Sequence, residues 1–217
     1  MTQGSRRMVA VPKPTFAEER ALIGRGITMI AGLDEAGCGC WAGPVFAAAV
    51  ILPLDSRIGL VRDSKTLSCE QRQRTAARIK EEAAAWAVGT ASAEEIDAMN
   101  IRRAGALAMR RAVEGLAMRP EFVLIDAFVI PGLGIPSKSI IKGDLKVKSI
   151  AAASVIAKVA RDAHMEELDR RYPGYGFAAH AGYGTKAHQD ALARLGPCPE
   201  HRKSYAPIKR FLEAAAN

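Results

Sequence analysis

One unbroken apolar run, residues 45–52, limits the fold of this chain more than any other feature. It lies inside a longer uncharged stretch that Pro44 and Pro53 interrupt, and that stretch is shorter than the roughly 18 residues a membrane-spanning helix needs. A short apolar run between prolines predicts a β-strand. Residues 27–33 form a second apolar run before a glycine-rich turn, so we expect two neighbouring strands and no membrane crossing.

Helix and strand patterns alternate along the rest of the chain. Three helix starts have a serine or threonine followed three residues later by Glu or Gln, the capping-box pattern. These pairs predict helices from Thr15 with Glu18 to the glycines at 24 and 26, from Ser68 with Gln71 to about Ala85, and from Ser92 with Glu95 through Ala117 with a break near Asn100. Further strands are predicted at 86–91, 122–125 and 140–141, and an Ala-rich helix at 149–170. This order indicates an α/β fold with a sheet of mixed direction.

The length of 217 residues suits one compact domain with a tail. Residues 1–14 are expected to be a flexible arm, and residues 15–217 a single domain. Within that domain, residues 171–217 hold seven Lys and Arg against three Asp and Glu, together with three of the four histidines. We therefore expect them to form a basic lobe beside the sheet.

Charge and cysteine content restrict the partners and the compartment. The chain has 31 Lys and Arg against 23 Asp and Glu, a net charge of +8, which favours a polyanionic partner such as nucleic acid or an anionic membrane surface. Cysteines at 38, 40, 69 and 198 fit neither a disulfide framework nor a paired zinc motif. With no secretory apolar segment near the N-terminus, the sequence predicts a reducing, cytoplasmic location.

Several acidic residues lie where an apolar run ends. Asp34 and Glu35 follow the first run, Asp126 a later one, and Asp144 a short one. Carboxylates gathered at a sheet edge repel one another unless Mg²⁺ or Mn²⁺ neutralises them, so these residues are candidate metal ligands. The alternative is that each is a strand-terminal acid facing water, and the sequence does not show that they converge.

A second interpretation concerns the glycines at 37, 39 and 43, which approximate a dinucleotide-binding fingerprint. Such a loop runs into a helix whose N-terminus receives the pyrophosphate. Here Pro44 and an apolar strand follow instead, and two carboxylates precede the loop, where they would repel a diphosphate. The pattern therefore argues against nicotinamide binding.

Ordered motifs then carry a family resemblance from about Ile27 to Pro207. They are GLDEAGCGCWAGPV (32–45), DSKTL (63–67), ID (125–126), KGD (142–144), AAASVIAK (151–158) with RD (161–162), YPGYGF (172–177) and GYGTK (182–186). In this order they resemble ribonuclease HII, the type 2 ribonuclease H.

The resemblance implies an RNase H-like mixed five-stranded sheet flanked by helices, with a small C-terminal helical lobe. It implies an endonuclease that cuts RNA in RNA–DNA hybrids and on the 5′ side of single ribonucleotides in duplex DNA, leaving a 5′-phosphate and a 3′-hydroxyl. Asp34, Glu35, Asp126 and Asp144 would be its catalytic and metal-binding residues, holding two Mn²⁺ or Mg²⁺ ions. The partners would be an RNA–DNA hybrid or a DNA duplex containing ribonucleotides, bound by a monomer.

The resemblance also implies substrate-binding residues. The loop of Gly37, Cys38 and Gly39 would contact the ribose 2′-OH, and Tyr183 the sugar of the next nucleotide, with Tyr175 as the alternative. Lys65 would contact a phosphate, with Lys146, Lys158 and Lys186 as further candidates. Ser154 would contact nucleic acid or bond within its own helix. For His180 and His188 the choice is between assisting metal or proton transfer and stabilising their loop by hydrogen bonds.

Three positions depart from the family pattern. Cys38 stands where the family has Arg or Lys, Cys40 where it commonly has Pro, and Ala127 where it has glycine. Losing the basic side chain would weaken the preference for a single ribonucleotide, and the paired cysteines raise the hypothesis of a redox-sensitive loop. Another two-metal nuclease of this fold and a catalytically weak nucleic-acid-binding module remain the alternatives.

Overall fold

A computed structural model describes residues 13–58 and 67–215. These residues form one five-stranded sheet whose strands are β1 (Ile30–Ala36), β2 (Val45–Ile51), β3 (Ala85–Ala91), β4 (Phe122–Asp126) and β5 (Ser137–Ile140). The spatial order is β3-β2-β1-β4-β5. The first three strands pair antiparallel, whereas β4 runs parallel to β1 and β5 parallel to β4. The predicted mixed sheet is confirmed.

Eight α-helices accompany the sheet in the described part of the chain. They are α1 (Ala17–Ile23), α2 (Cys69–Glu82), α3 (Ala93–Met99), α4 (Ile101–Glu114), α5 (Lys148–Arg171), α6 (Phe177–His180), α7 (Lys186–Leu195) and α8 (Ala206–Ala215), with a single 3₁₀ turn at Gly143–Leu145. The capping boxes predicted at Ser68 and Ser92 are both confirmed. So is the break at Asn100, whose side chain accepts hydrogen bonds from the first backbone N–H groups of α4.

The capping box predicted at Thr15 is wrong. Phe16 precedes α1 without any side-chain cap, and the Glu18 carboxylate pairs with Lys138 at 2.7 Å. The backbone of Thr15 instead forms a bridge with Val147, so tertiary pairing outweighs the local pattern.

Several predicted boundaries also shift. Strand β1 begins three residues later than predicted and extends through Ala36, so Asp34 and Glu35 lie within it. Strand β5 begins three residues before the predicted segment and ends at Ile140, and Ile141 is exposed. Helices α2 and α4 end three residues earlier than predicted.

Strand β2 is buried on both faces, which explains its unbroken apolar sequence. Ala47 and Ala49 face a core that includes residues of α4, whereas Ala48 and Val50 face one that includes α5. The alanines of α5 allow a close approach to the sheet: a Cβ added to Gly32 of β1 would lie 2.2 Å from the backbone of Ser149. Helix α5 therefore packs directly against β1, the strand that carries Asp34 and Glu35.

Helices α6, α7 and α8 follow the sheet and pack around a separate apolar cluster. Phe177 and Ile208 are fully buried in it, beside Met165 of α5 and Ala42 from the segment before β2. The predicted arm lies almost wholly outside the described residues. No helix in the described ranges has the length and apolar character needed to cross a bilayer.

Candidate active site

A pocket of about 230 Å³ lies between the sheet edge and the C-terminal helices. We term the four predicted carboxylates the acid wall of this pocket, and residues 37–39 with Tyr183 its recognition wall. The residues of the acid wall are Asp34, Glu35, Asp126 and Asp144, and Ser154, Lys158 and Arg161 complete the lining. The structure therefore brings together all four acids that the sequence singled out.

Strand pairing places two of these acids side by side. Leu33 of β1 pairs with Ile125 of β4 in a parallel ladder. Asp34 and Asp126 are the next residues on these two strands, so they lie next to each other across the ladder. The backbone N–H of Gly143 donates to Asp126 Oδ1 at 2.7 Å, which ties β4 to the 3₁₀ turn that carries Asp144. The acid wall is thus built from three neighbouring segments of the sheet edge.

Asp34 is a buried carboxylate of the acid wall, 5% exposed. Burial raises its pKa well above the ordinary value, and the neighbouring charges of Glu35 and Asp126 raise it further. A hydrogen bond with Ser154 opposes this rise, as does the backbone N–H of Glu35, which donates to Asp34 Oδ1 at 2.7 Å. Ser154 is only 7% exposed, so its visible role is to hold Asp34. A contact of Ser154 with nucleic acid remains a prediction.

The donor set of the acid wall fits a hard divalent cation. Carboxylate oxygens are the ligands that Mg²⁺ and Mn²⁺ prefer, and a bound cation would relieve the repulsion that raises the Asp34 pKa. Within the described residues, no three acidic, histidine or cysteine side chains already form a ligand group tight enough for an ion. The acids would therefore have to draw together around it.

The recognition wall brings Gly39 opposite Tyr183. A Cβ added to Gly39 would meet only Cε1 of the Tyr183 ring within 4 Å, at 4.0 Å. Tyr183 is 46% exposed, whereas Tyr175 is buried and its hydroxyl donates to Gly196 O. Of the two tyrosines, only Tyr183 lines the pocket.

Two departures from the family pattern acquire physical meaning here. The Cys38 thiol contacts Glu35 Oε1 at 3.7 Å, and burial together with the Glu35 charge raises its pKa to about 12. A thiol in that environment stays protonated, which argues against the redox hypothesis because oxidation proceeds through the thiolate. Ala127 has φ 43°, a left-handed conformation that favours the glycine of the family.

Of the candidate lysines that the structure describes, Lys158 is the one that lines the pocket. It forms an ion pair with Asp162 at 2.6 Å. Lys146 donates to the carbonyl of Ile141, and Lys186 pairs with Asp190 one turn along α7. Lys65 lies outside the described residues.

The histidines hold the lobe rather than the acid wall. His188 Nδ1 lies 2.9 Å from the carbonyl oxygen of Tyr183, and His180 Nε2 lies 2.8 Å from that of Tyr175. These contacts favour the loop-stabilising alternative.

Two arginines that contact the recognition wall were given no role from the sequence. Arg161 and Arg202 are both fully buried. The first packs against Gly37, where an added Cβ would lie 2.0 Å from its Nε, and the second donates to the carbonyl oxygens of residues 37 and 38. The sequence gives little indication for Arg161, because the second half of its helix carries several other charged residues.

The family model of ribonuclease HII matches residues 31–208, which contain both walls of the pocket. This chain belongs to the ribonuclease HII family. Ribonuclease HII of Myxococcus xanthus is 52% identical over 195 residues, covering 89% of this chain and 67% of its own length. Ribonuclease HII of Nitrosococcus oceani is 51% identical over 185 residues, covering 85% and 92%.

Two solved structures share the fold of this ribonuclease HII. Ribonuclease H2 of Pyrococcus horikoshii superposes with a TM-score of 0.74 at 24% identity, over 87% of this chain and 99% of its own. RNase HII of Archaeoglobus fulgidus, solved in complex with PCNA, gives 0.70 at 28% identity, over 84% and 96%. Family membership makes the chain a metal-dependent endoribonuclease of the ribonuclease H type, which cleaves RNA in RNA–DNA hybrids.

Proposed function

We propose that this ribonuclease HII also cuts duplex DNA on the 5′ side of a single embedded ribonucleotide, leaving a 5′-phosphate and a 3′-hydroxyl. The observation that carries the proposal is that both walls line the same pocket. The acid wall supplies oxygen ligands, and the recognition wall supplies bare backbone opposite an aromatic ring. A phosphodiester in the pocket would thus contact both walls at once.

The acid wall is proposed to hold two Mg²⁺ or Mn²⁺ ions through Asp34, Glu35, Asp126 and Asp144. Such ions activate a water molecule and stabilise the leaving oxygen in an in-line displacement. The chain's own contribution is orientation: Ser154 and the Glu35 backbone N–H hold Asp34, and the Gly143 N–H holds Asp126. These bonds orient Asp34 and Asp126 in the absence of substrate, and bound ions would draw the four carboxylates closer together.

The recognition wall is proposed to detect the ribose. The 2′-OH is the one group that distinguishes the target nucleotide from DNA, so its detection requires a close backbone approach. Gly39 has no side chain to prevent that approach, and the Tyr183 ring lies across from it for packing on a neighbouring sugar. Lys158, at the pocket lining, is placed to contact a phosphate.

The decisive experiment uses duplex DNA with one ribonucleotide, incubated with Mg²⁺ or Mn²⁺. We expect a single cut at its 5′ side, no cut in the matched all-DNA duplex, and a loss of about 10²- to 10³-fold in Asp126→Asn, typical of removing a preorganised electrostatic group. Absence of the cut with either metal would contradict the proposal.

A long RNA–DNA hybrid run in parallel addresses Cys38. If position 38 no longer supplies a basic contact, the hybrid and the single-ribonucleotide duplex should be cut at comparable rates. A strong excess at the single ribonucleotide would show that backbone contacts of the loop suffice.

A catalytically weak binding module is the less favoured function, because all four carboxylates line the pocket. We further propose a monomer acting in the cytoplasm. The four cysteines are all free in the described structure, which supports a reducing compartment.

A further inference from the structure

The carbonyl groups of the glycine loop converge on one buried arginine. Arg202 is fully buried; its Nη2 donates to Gly37 O at 2.8 Å, its Nη1 to Cys38 O at 3.0 Å and its Nε to Gly43 O at 3.0 Å. The Tyr205 hydroxyl also donates to Cys38 O, at 2.6 Å. A buried guanidinium is tolerated only when hydrogen bonds replace its hydration, and here backbone acceptors of the loop do so.

This contact sets the direction of the loop's amide groups. In a planar trans peptide the C=O and the next N–H point opposite ways. Because the oxygens of Gly37 and Cys38 point at Arg202, the N–H groups of Cys38 and Gly39 point away from it. Both of these residues line the pocket.

The preceding residue, His201, reaches the other half of the recognition wall. The Tyr183 carbonyl can only accept, so His188 must carry its proton on Nδ1, 2.9 Å away. His188 Nε2 is then an acceptor, and His201 Nε2, at 3.0 Å, must be the donor. His201 Nδ1 in turn accepts from the Cys198 N–H at 2.9 Å. A relay of two neutral histidines therefore links residue 198 to Tyr183.

The segment that carries both groups is itself anchored to the sheet domain. Asp97 of α3 accepts the backbone N–H groups of Lys203 and Ser204, each at 2.8 Å. The Arg202 N–H donates to Trp41 O at 2.8 Å, beside the glycine loop. Residues 198–205 are thus fixed independently of any substrate.

We propose that residues 198–205 position the two halves of the recognition wall relative to each other, with Arg202 holding the glycine loop and His201, through His188, holding Tyr183. The proposal rests on the proposed function, since it assigns these positioning residues to ribose detection. A ribose at the glycine loop and a neighbouring sugar packed on Tyr183 require a fixed separation between the two halves. One short segment with adjacent side chains to each half provides it.

The first test measures the preference for ribose in binding. Dissociation constants are determined in Ca²⁺ for two duplexes that differ by one 2′-OH. Arg202→Lys keeps the charge but loses the planar guanidinium group and its several N–H donors. We therefore expect the preference for the ribonucleotide duplex to fall about tenfold or more, as for lost charge-assisted hydrogen bonds. Tyr205→Phe removes one donor and should lower it roughly threefold.

Arg194→Lys is the matched control. Arg194 also donates from the lobe to a backbone carbonyl, that of Gly174 at 2.9 Å, but it does not line the pocket. It should leave the preference unchanged. A merely structural role for Arg202 would weaken binding to both duplexes equally.

An unchanged preference in folded Arg202→Lys and in Tyr205→Phe overturns the proposal. If circular dichroism shows that Arg202→Lys does not fold, Tyr205→Phe decides alone. Failure of the proposed function is recognised separately: the wild-type chain would then bind both duplexes equally, and the positioning role would fall with it.

The second test concerns the histidine relay. His188→Asn keeps an N–H donor near the position of Nδ1, whereas His188→Phe keeps only the ring volume. We expect KM for the ribonucleotide duplex to rise several-fold in the phenylalanine variant with little change in kcat, and the asparagine variant to restore it. In a Tyr183→Ala background His188→Phe should add no further loss. Additive losses would contradict the relay.

Discussion

The two walls of the pocket are held in place by different physical means. The acid wall takes its geometry from the sheet: Asp34 and Asp126 lie on paired strands, and the Gly143 N–H fixes the neighbouring turn. The recognition wall has no such ladder. Its loop is held by side chains of α5 and of residues 198–205, far away in the sequence, and Tyr183 is held by His188 of α7, which itself bonds to His201.

Their electrostatics are opposite as well. In the acid wall the groups repel, and burial adds to that repulsion by raising the pKa of Asp34. Beside the recognition wall each guanidinium nitrogen of Arg161 and Arg202 donates to a backbone carbonyl oxygen, and His188 is hydrogen-bonded to His201. Strand pairing therefore sets the backbone of the acid wall, while its carboxylates repel one another. In the recognition wall the buried cations have hydrogen-bond partners, but the position of the loop depends on residues distant in the sequence.

The largest effect is expected from Asp34→Asn. Cleavage should fall about 10²- to 10³-fold, the loss typical of a preorganised electrostatic group. Without divalent ions the variant should nevertheless unfold at a temperature roughly 2–4 °C higher, about 1 kcal/mol, because one repelling charge is gone. Thermal unfolding in EDTA and the cleavage assay measure both. Asp55→Asn, an exposed change of equal charge, is the control; a lower unfolding temperature for Asp34→Asn would contradict the repulsion.

Acidification should change the free energy of unfolding in opposite directions through His201, which supports the recognition wall, and through Asp34 of the acid wall. Burial and the neighbouring His188 lower the pKa of His201 from 6.5 to about 4. The unfolded chain therefore takes up this proton near its ordinary pKa and the folded chain only near the lowered one. As the pH falls through that window the free energy of unfolding should drop, on the order of 3 kcal/mol in total for this group.

The raised pKa of Asp34 acts in the opposite sense. Its contribution to stability is present below the ordinary carboxyl pKa and is lost as the pH rises through the raised value. Denaturant titrations at neutral and acidic pH measure the sum of the His201 and Asp34 contributions to the free energy of unfolding. In His201→Gln, whose amide still donates and accepts, the loss on acidification should be smaller; an identical pH profile would remove His201 as its cause.

Gly37→Ala tests how the recognition wall is shaped. Gly37 has φ +97°, and an added Cβ would lie 2.0 Å from Arg161 Nε. The backbone strain alone costs on the order of 1–3 kcal/mol. Gly26→Ala is a matched control, since it has φ +84° but nothing within 4 Å of the added Cβ. Equilibrium unfolding should show a clearly larger loss at residue 37, and equal losses would mean that Arg161 yields freely.

Gly39→Ala should have the smallest effect on stability and a selective effect on function. The residue lies outside the left-handed region and its added Cβ would touch only Tyr183. We expect the free energy of unfolding to change by less than about 0.5 kcal/mol. KM for the ribonucleotide duplex should rise about tenfold, because the methyl group occupies the space of the sugar. Unchanged cleavage would place the ribose elsewhere in the pocket.

Local sequence patterns predicted the fold correctly where the stabilising contacts join residues close together in the sequence. The boxes at Ser68 and Ser92 are closed by residues three positions away, so sequence suffices to predict them. The box at Thr15 fails because its backbone pairs with Val147, and no local pattern reports that pairing. The edge strand β5 was misplaced because its residues 137–139 are exposed and carry little apolar signal.

The acid wall was predictable from sequence because it lies at the ends of apolar runs. The family motifs gave Tyr183 and the glycine loop as expectations, and the structure places both at the pocket. Arg202 and His201 were not predicted, because a charged residue in a basic C-terminal segment gives no indication that it will be buried. Their role depends on which carbonyl groups the fold brings to them.

By itself, then, the sequence determined the mixed sheet, most of its helix starts and the four acids, because apolar periodicity, capping and strand ends are encoded over a few residues. Only the tertiary structure decided that these acids share one pocket, that Tyr183 rather than Tyr175 faces it, and that two buried arginines hold the loop. Those outcomes depend on contacts between residues more than a hundred positions apart, such as Arg202 with Gly37. Such contacts leave no pattern in the local sequence.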